Sequence, residues 1–387
     1  MIKQFIFSLI IAGFISSGLI KASLSWFTNF DFTVVFALAV VSIILLSLIS
    51  KKIRISGKQF LMIFILLLFY MYLSISVIFS LSEDYSYRKL LASFSHVFVI
   101  LFPIIILVRV KHTLFFISCF AVLSGIVSVY FRMNVSYGNI PESILGLYLN
   151  SGLFIGMVFL LTFYENFTGK LFFRIVTLIL LIMLGARGPL IFCIMTLFIF
   201  QFKELYPITK VRFKIDKKKI IYTVLSFILI PFFVFFILQN FDVTNALLQV
   251  DRTVDRLLRF LNDDMGNSIT ARADYFNIAL EMFFEKPMLG HGFGSFSIYV
   301  TGVDGRLYPH NIILELLAET GLIGLILFIS FITIFITSAN QKISFYVILV
   351  FFTLNLMKSY SYEDLRAFLG VLAILAYGIR DKARNVD

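Results

Sequence analysis

Apolar stretches of about 15 to 22 residues recur along nearly the whole chain, separated by short polar or glycine-containing turns. A helix needs roughly 20 residues to cross about 30 Å of hydrocarbon, so the pattern predicts an all-α, polytopic membrane protein. Runs such as Val34 to Ile49 stay apolar at successive positions. That excludes the period-two alternation of a membrane β-barrel. About 12 spans are expected, near 4–21, 31–50, 59–81, 90–108, 114–131, 143–163, 171–185, 189–202, 220–238, 312–337, 344–358 and 366–379.

Composition agrees with the pattern: of 387 residues, 60% are hydrophobic and only 14% charged, with a mean hydropathy of +0.98. No water-soluble globule is that apolar. Cys119 and Cys193 fall inside apolar spans and read as small hydrophobes, neither a disulfide nor a metal site. The first span lacks a clear small-x-small cleavage site and is expected to stay as a helix.

The net charge of +11 acts as a topology signal. With the N-terminus inside, the cytoplasmic segments and their flanks collect about 20 of the 33 basic residues and about 5 of the 22 acidic ones. Both termini are then cytoplasmic, and the basic character needs no nucleic-acid partner. Three regions follow: 1–238 with spans one to nine, a large external loop at 239–311, and 312–387 with spans ten to twelve and a cytoplasmic tail. A loop of that size among tight connections points to function. Within it, "ALLQVDRTVDRLLRFLND" (246–263) carries an amphipathic stripe suited to a surface helix. A second helix is expected over 269–285, closed by Lys286-Pro287.

Candidate chemistry collects on the external side. "PMLGHGFGSF" contains Gly290, His291, Gly292 and Gly294; such a run allows close backbone approach to a ligand or forms a surface turn. It is neither a dinucleotide fingerprint nor a Walker loop. His310 in "LYPHN" precedes an apolar helix, whose N-terminal dipole favours a neutral imidazole, a competent base near pH 7. A histidine that merely caps the loop is the other reading. Arg187, in the "ARG" turn between two spans, is costly at roughly 2.5–3.5 kcal/mol if held in the bilayer centre. It either snorkels to the interface or grips phosphate with its planar guanidinium. Arg272, opening the loop helix, poses the same choice. Arg366 and the cluster "SEDYSYRK" (82–89) read as a glycan path or as interfacial anchors, and His96 and His112 as structural.

In order and side, "ARG" with Arg187, "ARADYFNIALEMFFEKPMLGHGFGSF" with Arg272, and "PHNIILELLAETGLIG" with His310 resemble the O-antigen polymerase and O-antigen ligase family of bacterial envelope proteins. The resemblance covers the middle and the C-terminal half. It implies a membrane glycosyltransferase of the class C type, in the bacterial inner (cytoplasmic) membrane with a periplasmic active site, using undecaprenyl-diphosphate-linked glycan as donor. It implies Arg187 and Arg272 as diphosphate ligands and His310 as base. Tyr275, His291, Asn311 and Arg366 are accessory or glycan-contacting candidates. No cofactor is expected: the early external loop offers only Asp31, and Asp263-Asp264 is an isolated pair, so metal-independent inverting transfer is expected. A chain-length regulator and a flippase of the same pathway are the implied protein partners.

The glycine-rich "GHGFGSF" followed by "PHN" looks more like a polymerase than a ligase, which would deliver the glycan to lipid A core. A Gram-positive capsular polymerase would look similar. A lipid-oligosaccharide flippase is the alternative of another class. It predicts polar residues along several spans and an internal repeat, neither of which is evident. A non-catalytic scaffold leaves the Arg, Arg, His set without a purpose.

Overall fold

A computed structural model of the chain describes residues 2–25, 28, 30–50, 55–134, 146–205, 267–339 and 342–380, excluding the side chains of residues 132–134, 187, 202–205 and 267–270. The expected ninth span at 220–238, the amphipathic stretch 246–263 and the pair Asp263-Asp264 lie outside the described residues.

The described chain is helical, in the order α1 (Ile2–Ile15), α2 (Ser17–Leu24), α3 (Phe32–Ser50), α4 (Gly57–Ile78), α5 (Asp84–Ile105), α6 (Val110–Asn134), α7 (Leu147–Tyr164), α8 (Lys170–Leu184), α9 (Arg187–Leu205), α10 (Asn267–Glu285), α11 (Phe296–Thr301), α12 (Ile312–Ser338), α13 (Ile343–Leu356), a 3₁₀ turn (Tyr362–Leu365) and α14 (Arg366–Tyr377). Among the described residues, six helices are long and apolar enough to cross a membrane: α3, α4, α5, α6, α7 and α12. The pair α1 and α2 would make a seventh span, but it is bent by 67°. The bend falls at Ser16-Ser17-Gly18, small residues of the kind at which helices kink. Shorter apolar helices cover Gly188–Gln201 and Ile343–Leu356.

Local chemistry sets several boundaries. Ser56 and Gln59 form a reciprocal capping box at the start of α4, and Asn311 caps α12. Helices α7 and α14 are buried almost all round, so they form the centre of the bundle. Helix α3 buries only Val40, Ile44 and Ser47, and it presents Leu38, Leu46 and Ile49 outward. That apolar outer surface fits a protein solvated by lipid. Small residues bring the central helices close. A Cβ on Gly152 would lie 2.5 Å from that of Ala186, and one on Gly156 would lie 2.9 Å from the Cys193 sulfur. Cys193 is thus a buried packing residue, as its span position suggested.

The turns segregate to two ends. At one, Arg109 donates to Gln4, the Val110 N–H donates to the Ile379 carbonyl and the Ile379 N–H to the Val108 carbonyl, and Arg380 pairs with Glu165 at 2.7 Å. At the other end lie the connections after α4, α8 and α13 and the whole segment from α10 to the start of α12. We call this the loop end.

Candidate functional site

The loop end is built around a wedge of backbone. Residues 287–292 run against a break in α12, where His291 and Gly292 donate to the carbonyls of Ala318 and Glu319, and Leu322 donates to Pro287. Gly321 makes the break possible, with φ of 63° inside the helix and its Cα facing Met288, whose carbonyl oxygen lies 2.4 Å from any added Cβ. Gly292, at φ 95°, packs so closely on Ser80 that a Cβ would lie 2.2 Å from the Ser80 Cα. The glycine run is therefore neither a ligand cradle nor a surface turn: residues 290–297 are buried, and the missing side chains let two backbones touch.

A charge network locks the wedge. Lys89 of α5, fully buried, pairs with Glu315 and Glu319 of α12 at 2.6 Å each. Glu319 also accepts from the Gly294 N–H at 2.9 Å. Glu315 accepts from Ser361 at 2.6 Å and from the Tyr362 N–H at 2.8 Å. One cation thus ties α5, α12, the glycine segment and the 3₁₀ turn together, and the bonds meet the need of buried charges for partners. The "SEDYSYRK" cluster serves the same dock: Ser82 and the Asp84 N–H both donate to Asp304.

On this platform sits His310. It has φ of 57°, the one non-glycine residue with positive φ among those described, which turns the loop sharply into α12. Its ring lies near-parallel to Tyr275 of α10 with centroids 6.4 Å apart, and tilted on Tyr308 at 4.6 Å. It bonds the backbone of Ser359, while its buried Nδ1 has no partner among the described residues. Burial first, then the nearby charge of Arg272, holds the imidazole below its ordinary pKa. A neutral ring with an open nitrogen is what proton abstraction requires.

Asn311 is committed to structure. Its Oδ1 accepts from the Ile313 and Leu314 N–H groups, and its amide donates to the Met357 carbonyl. The turn after α13 therefore carries both members of the "HN" pair. The same turn meets the "ARG" turn: the Lys358 ammonium lies 3.4 Å from where a Gly188 Cβ would be. Arg187 itself begins α9, just after Gly185 at φ 59°; its side chain lies outside the described residues. Residues 357–359 thus hold Asn311 and meet the turn that starts with Arg187, and Arg272 is near enough to His310 for its charge to be felt there.

Residues 172–329 match the O-antigen ligase family. The match spans Arg187, Arg272 and His310. Members of the O-antigen ligase family are glycosyltransferase-like membrane enzymes that act as ligases or polymerases. No curated protein matches the chain.

Two remaining candidates lie elsewhere in the architecture. His291 is buried, with Nε2 3.0 Å from the Met282 carbonyl and 3.2 Å from Glu285; it braces the end of α10. Arg366 sits at the start of α14, its guanidinium over the Phe14 ring at 5.3 Å. His96, expected to be structural, is buried between Tyr70 and the Glu363 carbonyl. Asp31 pairs with Lys21 and caps α3 through Thr33.

Sequence reasoning passed over Lys358, Arg306 and the Lys89 network. Arg306 forks onto Asp364 and pairs with Glu363, with Tyr308 beneath it. Two signals were available: Lys358 is a cation on the side expected to be external, which positive charge avoids, and Glu315 and Glu319 are carboxylates one helical turn apart in an apolar span.

Proposed function

We propose that the protein is a polymerase of O-antigen or a related surface polysaccharide, joining undecaprenyl-diphosphate-linked oligosaccharide repeats on the periplasmic face of the bacterial inner membrane. In this reading the chain makes twelve spans with both termini cytoplasmic, and the loop end faces the periplasm. The observation that supports it is that the turn after α13 holds the His310-Asn311 pair and meets the Arg187 turn through Lys358, with Arg272 close enough to His310 for its charge to be felt.

Arg187 and Arg272 grip the donor diphosphate, with Lys358 adding charge beside the Arg187 turn. Fixed cations there stabilise the negative charge that grows as the sugar–phosphate bond breaks. His310 takes the proton from the acceptor hydroxyl. The hydroxyl oxygen attacks the anomeric carbon from the face opposite the diphosphate, the new glycosidic bond forms as the C1–O bond to phosphate breaks, and configuration inverts. The electron pair leaves on the lipid diphosphate, and the proton rests on His310. The bound Tyr275 and Tyr308 rings keep the imidazole fixed.

A polymerase is favoured over a ligase by the glycine-rich segment running into "LYPHN", as the sequence resemblance implied. Purified protein given lipid-linked repeats alone tests this. Longer lipid-linked chains support a polymerase; product only on adding lipid A core makes it a ligase; movement of the lipid across a vesicle bilayer without extension makes it a flippase. Arg187→Ala and Arg272→Ala should each abolish extension while leaving an inserted, folded protein.

A further inference from the structure

Arg366 takes no part in the transfer described above, yet it borders a cavity of about 210 Å³ at the loop end. The walls come from the α1–α2 bend (Ile15, Gly18), α5 (Ser95), α7 (Asn150) and the segment leading into α14, with Tyr360 on one side. Among the described residues, nothing hydrogen-bonds the Arg366 guanidinium; its contact is the Phe14 ring. Glu363 and Asp364 also line the cavity, but both are ion-paired with Arg306, and Asp31, the other acid whose charge reaches Arg366, is paired with Lys21. The side chains of Ser95 and Asn150 make no hydrogen bond among the described residues. A guanidinium with no ion pair of its own among the described residues, inside a lipid-embedded bundle, is costly unless an anion completes it. Its planar fork fits phosphate oxygens in pairs.

Position adds to this. Helix α7 separates the cavity from the donor site: Asn150 and Leu153 line the cavity, while Gly152 packs on Ala186 and Pro189 of the "ARG" turn. Tyr360, which lines the cavity and donates to the Leu149 carbonyl, follows Ser359, the partner of His310, by one residue. We propose that the Arg366 cavity is a second anion subsite, holding the diphosphate of the acceptor lipid while Arg187 and Arg272 hold that of the donor. This rests on the polymerase reading, because a polymerase takes two lipid diphosphates at once. The acceptor keeps its own sugar–phosphate bond and reacts through a distal hydroxyl, so its diphosphate needs a chamber apart from that of the donor.

The test is native mass spectrometry of the full chain with a short polyprenyl diphosphate that carries no sugar, followed by extension kinetics. Wild type should bind two lipids, whereas Arg366→Gln should bind one. Ala92→Leu, which narrows the cavity without touching a charge, should also bind one. With long-chain donor fixed, Arg366→Gln should raise the acceptor KM about tenfold and leave the donor KM within about twofold. A single lipid on wild type, or two on both variants, overturns the subsite. Two lipids on a wild type that extends no chains keeps the subsite and removes the polymerase; chain extension with one lipid bound does the reverse.

Discussion

The side-chain amide of Asn311 donates to the carbonyl of Met357 at 3.3 Å, while its oxygen caps α12. That bond fixes the His310 turn against the turn after α13, and the next residue along, Lys358, meets the "ARG" turn at Gly188. Two segments far apart in the chain are thereby held to one support, which is the precondition for a shared diphosphate site.

His310 should act as a base whose titration Arg272 tunes. Burial and the Arg272 charge both favour the neutral ring, so the acidic limb of kcat/KM should lie below pH 6.5, with activity rising as pH rises through it. Replacing Arg272 by Gln removes one depressing charge and should move that limb to higher pH. His310→Gln should lower kcat by about 10²- to 10⁴-fold. A pH–rate profile of the wild type, the kcat of His310→Gln and an NMR titration of the imidazole in Arg272→Gln check these.

Lys358 should matter for the donor. Its ammonium lies beside Gly188 and over the Phe192 ring at 5.5 Å. Lys358→Ala should raise the donor KM about tenfold, because a charge beside the diphosphate is lost.

Lys89 should behave in the opposite way. Removing it leaves Glu315 and Glu319 buried with their countercharge gone, and breaking such a network costs about 3–5 kcal/mol. Lys89→Met should lower the thermal midpoint in detergent markedly, and Glu315→Gln should do the same through Ser361 and Tyr362.

Gly292→Ala should disrupt the wedge. The new methyl meets the Ser80 Cα at 2.2 Å on a backbone already at positive φ, where strain alone costs about 1–3 kcal/mol. Gly302→Ala, also at positive φ but with open space around it, is the control. The difference between their melting points isolates the clash from the backbone term.

Much of this was legible in the chain. The apolar runs placed α3 to α9, α12, α13 and α14 to within several residues at their ends, because the length of a hydrophobic stretch and the cost of exposed backbone in lipid leave few choices. The helix at 269–285 was equally visible from its Lys-Pro stop. The 67° bend at Ser16 was not, since Ser16-Ser17-Gly18 permits a kink without requiring one within an otherwise apolar stretch. The break at Gly321 depends on backbone bonds to residues about thirty positions earlier, which no local pattern carries. Lys89 and Glu315 are more than two hundred residues apart, and Lys89 read as one member of the "SEDYSYRK" cluster, with nothing local to point it at Glu315. At the site, the types of His310, Arg187 and Arg272 were readable, but Asn311 as a cap and His291 as a brace emerged only from their partners.

The most direct measurement is a cryo-electron microscopy structure of the protein with a polyprenyl diphosphate lipid. The account predicts diphosphate density between the guanidinium groups of Arg187 and Arg272, with the His310 imidazole alongside the sugar-bearing phosphate. Diphosphate density away from both arginines, or the two guanidiniums on opposite faces of the bilayer, would contradict it.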